Sequence, residues 1–288
     1  MDSDGPQEGF DVIAVPDILL NNGQTIPQFG FGVFLIPPAE TVEAVSAALQ
    51  AGYRHIDTAE MYGNEREVGE AIRKSGLERE EVFVTSKLDN DAHEPEAARR
   101  AFAGTLESLG FGYVDLFLIH WPLEMRSSFV PTWQTLQEFY EDGRARSIGV
   151  SNFTERHLRR LSRETEGPQP AVNQIEVHPY LTQSELRAFC GQHQIAVEAW
   201  SPIARGRDLL RDPEIVEIGR QYGKTPAQVV LRWHIEEGHI VFPKSVKPAR
   251  MKENIDVFDF ELTGQDVARI SALNRDERTG PDPEKFTG

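Results

Sequence analysis

Short apolar runs alternate with longer amphipathic stretches along most of the chain. Runs rich in Val, Ile, Leu and Phe at residues 28–33, 54–57, 82–88, 114–120, 147–151, 171–177, 196–200 and 239–242 predict eight strands. Between them, residues 41–51, 65–74, 94–109, 132–141, 154–163, 184–192 and 226–237 carry alanine, leucine and paired charges at helical spacing. The boundaries are marked. Thr154 and Thr182 suit N-caps, Pro226 after Thr225 suits a first helical turn, and Gly52, Gly110 and Gly143 fall where helices should stop. Ahead of this array, Asp17-Ile-Leu-Leu, Asn22-Gly23 and Thr25-Ile-Pro predict a hairpin on a tight type I′ turn. Residues 1–16 are acidic and unpatterned, and predict a flexible arm.

Repeated strand–helix alternation calls for parallel strands joined by helical crossovers. Over 288 residues, eight such units fit one α/β domain, residues 17–288, closed as a (β/α)8 TIM barrel with an N-terminal β-hairpin; a doubly wound open sheet is the alternative. In a barrel, chemistry gathers at the carboxyl ends of the strands. There the chain offers Asp57 after the second run, Tyr62 in the loop beyond it, Lys87 at the end of the third and His120 at the end of the fourth. A lysine buried behind Val-Phe-Val-Thr-Ser is costly without an acid, and Asp57 on the adjacent strand is the natural partner. A carbonyl becoming an alkoxide needs a proton donor and a polarising hydrogen bond. A phenol is too weak an acid near neutrality, and the Lys87 cation is expected to lower the pKa of Tyr62. A neutral His120 can orient the substrate oxygen. Taken singly, each residue reads as an ion pair or packing; together at strand ends they point to carbonyl reduction.

Gly52-Tyr-Arg-His-Ile-Asp57-Thr-Ala-Glu-Met-Tyr62-Gly-Asn-Glu65, then Lys87, His120-Trp-Pro and Gly149-Val-Ser-Asn152-Phe, resembles the aldo-keto reductase family over roughly residues 15–273. The resemblance implies Tyr62 as general acid with Lys87, Asp57 and His120 as its partners. It also implies NADPH as hydride donor, since side chains supply no hydride.

Gly30-Phe-Gly32-Val-Phe-Leu35 opens like a dinucleotide fingerprint but lacks a third glycine and runs into Pro37-Pro38, so it is set aside. The better anion site follows the eighth run, where Lys244, Lys247, Arg250 and Lys252 cluster ahead of a helix beginning near Pro248. This stretch resembles the family's Lys-Ser-x4-Arg-x3-Asn hallmark. That likeness assigns Lys244, Ser245 and Arg250 to the adenosine 2′-phosphate and Glu253 and Asn254 to the adenine, with Val246 on the same cofactor-binding stretch. Ser151, Asn152 and Gln174 end the fifth and sixth runs and are expected at the carboxamide. Trp200, where most family members carry tyrosine, is expected to stack on the nicotinamide, and Ser201 and Ile203 resemble the pyrophosphate strap. Phe34 and Trp121 are expected to rim the substrate pocket.

The loop after His120 and the tail after Leu273 are short, which resembles the prokaryotic branch containing 2,5-diketo-D-gluconate reductase. Small aldehydes, dicarbonyls and keto-sugar acids are the implied substrates, with broad methylglyoxal detoxification as a variant. A non-catalytic NADPH-binding regulatory module is the competing function. Arg126 is expected to be solvated. A net charge of −16 repels nucleic acid and anionic membranes. The single Cys190 forbids an internal disulfide and reads as a buried packing residue. With no secretory leader, membrane span or metal-ligand spacing, the expectation is a cytoplasmic monomer that binds no metal.

Overall fold

The computed structural model describes residues 14–206 and 208–288, so the arm expected over residues 1–16 lies outside the described residues as far as residue 13. An antiparallel hairpin, β1 (Asp17–Leu19) and β2 (Thr25–Pro27), precedes the barrel. Then come β3 (Phe31–Gly32), α1 (Pro38–Gln50), β4 (His55–Asp57), α2 (Glu65–Lys74), β5 (Phe83–Leu88), α3 (Pro95–Leu109) and β6 (Leu116–Ile119). The second half holds α4 (Phe129–Glu141), β7 (Ile148–Ser151), α5 (Glu155–Glu164), β8 (Val172–Glu176), α6 (Ser184–Gln192) and β9 (Ala196–Trp200). It ends with α7 (Pro213–Tyr222), α8 (Pro226–Glu236), β10 (Ile240–Val241), α9 (Pro248–Ile255) and α10 (Gly264–Ser271).

Strands β3 to β10 pair in chain order, all parallel. A parallel bridge between Phe29 and Val241 closes the barrel, with Gly30 N donating to Val241 O at 2.7 Å. Gly30 has a steric reason: a Cβ there would stand 2.7 Å from the His55 ring, so the first turn of the barrel closes only without a side chain. All eight expected strands form; 196–200 keeps its expected bounds, and the others are trimmed at one or both ends because only the paired residues complete the ladder.

The hairpin seals the amino-terminal end of the barrel. Leu20 and Ile26 pack on Leu116, Leu118, Val172 and Ile240, and Asn21 and Asn22 donate to Pro170 O and Arg146 O just ahead of β8 and β7. Ile26 is fully buried, which contributes roughly 2 kcal/mol. The turn is not type I′. Asn22 keeps a negative φ, Gly23 alone is left-handed at +83°, and Leu20 N reaches Gln24 O at 2.8 Å. This is a three-residue loop with a glycine bulge, chosen because Asn21 and Asn22 are held by barrel backbone.

Thr154 caps α5 as expected, but Gln183, not Thr182, occupies the cap of α6. Helices α7 and α10 were not legible as separate periodic runs, although Asp212 and Thr263 cap them with side-chain oxygens. Cys190 is buried, as expected, and burial pushes its thiol up to about 11.

Candidate active site

Asp57 ends β4, Lys87 lies in β5, His120 follows β6, and Tyr62 ends a single 3-10 turn after β4. The four side chains converge at the carboxyl end of the barrel. Lys87 is fully buried. Its Nζ donates to Asp57 Oδ1 at 2.8 Å and to Thr58 O at 2.7 Å, and lies 3.4 Å from Tyr62 Oη. Burial pulls the Lys87 ammonium down, but Asp57 and the Tyr62 phenol hold it above its usual value, so it stays charged. Burial pushes Asp57 up, against the opposing pull of Lys87 and Gln174.

Tyr62 differs from the sequence expectation. Lys87 does draw the phenol pKa down, but burial outweighs it and the net shift is upward. The phenol therefore holds its proton through neutrality, in the state that can donate it. The His120 ring packs edge-on to Tyr62 at 5.8 Å between centroids. Burial and then Lys87 hold His120 well below its usual pKa, so the ring is neutral, and its Nδ1 has no partner among the described residues.

Beside the four lies a polar cluster. Ser151 Oγ donates to Gln174 O, and Trp200 Nε1 donates to Asn152 Oδ1 at 2.8 Å. Asn152 Nδ2 donates to His120 O and to Ser151 Oγ. Gln174 Nε2 donates to both Asp57 Oδ2 and Glu198 Oε2, each at 2.8 Å. The amide donors expected at a carboxamide are thus engaged within the protein, while the Gln174 oxygen has no partner among the described residues.

One cavity of about 990 Å³ runs from Tyr62, His120 and Trp121 past Ser151, Asn152, Gln174 and Trp200 to Lys244, Ser245, Arg250, Glu253 and Asn254. Asp57, Phe34, Ser201 and Ile203 also line it. Val246 does not, and is an exposed surface residue. Helix α9 begins at Pro248 with no side-chain cap, and Arg250 N and Met251 N donate back to Lys247 O. Among the described residues, neither Lys244 nor Arg250 makes an ion pair, although the chain is rich in acids. An anion is what this corner lacks, and the residues present fit a phosphorylated dinucleotide.

Several wall residues were missed by sequence reasoning. Arg205 and Leu210 come from the loop after β9, where Ser201, Ala204 and Arg205 all have positive φ. Pro281 and Phe286 come from the carboxyl-terminal tail. Phe286 packs tilted on Trp121 at 4.3 Å between ring centroids, and Gly280 packs so tightly on Trp200 that a Cβ would stand 2.4 Å from its ring. Glu176 Oε1 accepts from Thr279 N at 2.6 Å, Glu284 meets Thr154 and Arg156, and Arg126 binds Asp91 and Thr287 O. Arg126 is exposed to solvent, as expected, and from there also contacts the tail. A lone aromatic in the polar segment 281–288 was the one available signal.

Among the described residues, no helix is long and apolar enough to cross a membrane, and no group of acids, histidines and cysteine is placed to hold a metal.

A model of the aldo/keto reductase family matches residues 30–275. An aldo-keto reductase of Mycolicibacterium smegmatis is 53% identical over 271 residues, covering 94% of this chain and 98% of the relative. Methylglyoxal reductase DkgA of Yersinia pestis is 48% identical over 273 residues, covering 94% and 97%. The crystal structure of a Bombyx mori aldo-keto reductase in complex with NADP superposes with a TM-score of 0.86 at 39% identity, covering 92% of this chain and 94% of that one. A closed parallel barrel, four polar side chains converging at the carboxyl end of its strands and near full-length likeness to such proteins agree, and the chain belongs to the aldo/keto reductase family.

Proposed function

We propose that the protein is an NADPH-dependent reductase of small neutral aldehydes and dicarbonyls, with Tyr62 as the proton donor. The observation that carries this reading is the single cavity shared by Tyr62 and His120 at one end and by Lys244 and Arg250 at the other. NADPH, when bound, supplies the hydride. Lys244, Ser245 and Arg250 would hold its 2′-phosphate, Glu253 and Asn254 its adenine, and Ser201 and Ile203 would strap its pyrophosphate. Ser151, Asn152 and Gln174 would meet the carboxamide, with the Trp200 ring against the nicotinamide.

The chain's own residues then handle the proton. Neutral His120 orients the carbonyl oxygen by a hydrogen bond. Tyr62 Oη gives its proton to that oxygen as negative charge develops. The Lys87 ammonium, 3.4 Å away, stabilises the tyrosinate left behind. Asp57 holds Lys87 charged and in place.

The substrate end is walled by Phe34, Met61, Trp121, Trp200, Pro281 and Phe286. Arg126, in the loop after Trp121, contacts Asp91 and the Thr287 carbonyl. These largely apolar walls suit small neutral aldehydes and dicarbonyls, which rank ahead of keto-sugar acids. The name of the Yersinia relative, a methylglyoxal reductase, agrees with this ranking.

NADPH oxidation with methylglyoxal, 4-nitrobenzaldehyde and pyruvate tests the reading. Turnover of the two neutral compounds is expected, with pyruvate slower by tenfold or more. Tight NADPH binding with no turnover of any carbonyl would make the protein a binding module instead. Tyr62→Phe should lower kcat by about 100-fold or more while NADPH affinity stays within about twofold. An active Tyr62→Phe protein removes Tyr62 as donor.

A further inference from the structure

Glu198 lies in β9 with its side chain inside the barrel, fully buried. Among the described residues its side chain makes one hydrogen bond: Gln174 Nε2 donates to its Oε2 at 2.8 Å. The same nitrogen donates to Asp57 Oδ2, and the other oxygen of Asp57 accepts from Lys87. A continuous chain therefore runs Glu198–Gln174–Asp57–Lys87–Tyr62. The second oxygen, Glu198 Oε1, has no hydrogen-bond partner among the described residues and lies 3.9 Å from His55 Nε2, itself bonded to Thr85 Oγ1.

We propose that Glu198 is a positioning residue for carbonyl reduction, holding the Gln174 amide, and through it Asp57, Lys87 and Tyr62, as a neutral carboxylic acid. The inference rests on the reductase reading above. The charge count around Glu198 is the reason for neutrality. From β4 it faces His55 and Asp57, from β5 Lys87, and from β8 the uncharged Gln174, while β10 contributes Ile240 and Val241. Burial holds His55 neutral, down at about 3. One cation, already paired with Asp57, cannot balance two buried carboxylates. Burial, and then the Asp57 charge, push Glu198 up to about 8.

Above that pH the proton leaves to solvent and a second negative charge stands beside Asp57. It offsets the Lys87 field at Tyr62, disfavours the developing tyrosinate, and repels Asp57 across the shared amide. Carbonyl reduction should therefore fall on the alkaline side through Glu198, a residue that touches neither substrate nor cofactor.

The experiment is the pH profile of kcat for wild type, Glu198→Gln and Glu198→Ala with NADPH and 4-nitrobenzaldehyde. It is paired with the carboxylic-acid infrared band of the cofactor-free proteins. Wild-type kcat should fall about threefold or more between about pH 7 and about pH 9. Glu198→Gln should keep neutral-pH kcat within about twofold and lose that fall, whereas Glu198→Ala should lose about tenfold at every pH with KM little changed. A Glu198→Gln profile that superimposes on wild type overturns the inference. So does the absence of a wild-type carboxylic-acid band that is present at about pH 6, gone at about pH 10 and missing from Glu198→Gln. The band needs no turnover: a wild type that shows it but reduces no carbonyl refutes the reductase reading and leaves the coupling of Glu198 to Asp57 standing.

Discussion

Replacing Lys87 with methionine separates what this cation does for folding from what it does for chemistry. The side chain is fully buried, its partner Asp57 is 3% exposed, and methionine fills a similar volume. Removal leaves the Asp57 carboxylate without its cation, a loss of about 3–5 kcal/mol for a buried pair, and strips Thr58 O of a donor. For a chain of this size that lowers the Tm by roughly 10 °C. The catalytic term is separate. At an effective dielectric of about 20, a unit charge 3.4 Å from a tyrosinate is worth about 5 kcal/mol, an upper limit of a few thousandfold in rate. Half-developed charge in the transition state reduces this to about 50-fold. The assay is kcat for NADPH-dependent aldehyde reduction beside thermal melting of Lys87→Met and of the double variant Asp57→Asn/Lys87→Met. The double variant removes both charges, so it should regain most of the Tm and none of the rate. A Lys87→Met protein with kcat within tenfold of wild type, or a double variant that regains kcat, would refute the electrostatic role of Lys87.

Other outcomes follow from the same geometry. Arg250→Ala should weaken NADPH by about 10–100-fold, the worth of a charge-assisted contact, and leave NADH within about twofold; equal losses in titrations of the two would move the 2′-phosphate elsewhere. Phe286→Ala removes the 4.3 Å contact with Trp121, and should raise KM for aromatic aldehydes about fivefold with kcat less affected; an unchanged KM would mean the tail does not touch substrate. Glu198, held near 8 against an ordinary value of 4.5, also has a stability signature. A raised acid binds its proton more tightly in the folded state, so its contribution is complete below about pH 4.5 and is lost as pH rises through about 8. Against Glu198→Gln, wild-type denaturation free energy should fall by up to about 5 kcal/mol over that window and then level; parallel curves would contradict a buried neutral carboxyl.

Much of the barrel was legible because its signals are local. A strand of four to six residues and its following helix each carry their own period, and every expected strand appears within a few residues of its place. Asp57, Lys87 and His120 were legible for a related reason: each stands at or just past the end of an expected strand, so strand direction alone delivers it to the carboxyl end. Helices α7 and α10 escaped because they depart from one helix per strand, and the hairpin turn escaped because Asn21 and Asn22 answer to backbone carbonyls more than 120 residues away.

The tertiary structure decided whatever depends on distant partners or on dielectric. Gln174 bridges Asp57 and Glu198 across 117 and 24 residues, a pairing with no local periodicity to betray it. The tail reaches the pocket because Glu176, Arg156 and Arg126 hold it there, contacts that span 103, 128 and 161 residues. Tyr62 shows the difference most plainly. Sequence names Lys87 as the charge that lowers its pKa, and that charge does act in this direction. Burial acts in the other direction and prevails. Residue order supplies the charges; only the folded barrel fixes how much water surrounds them, and desolvation sets the sign of the shift.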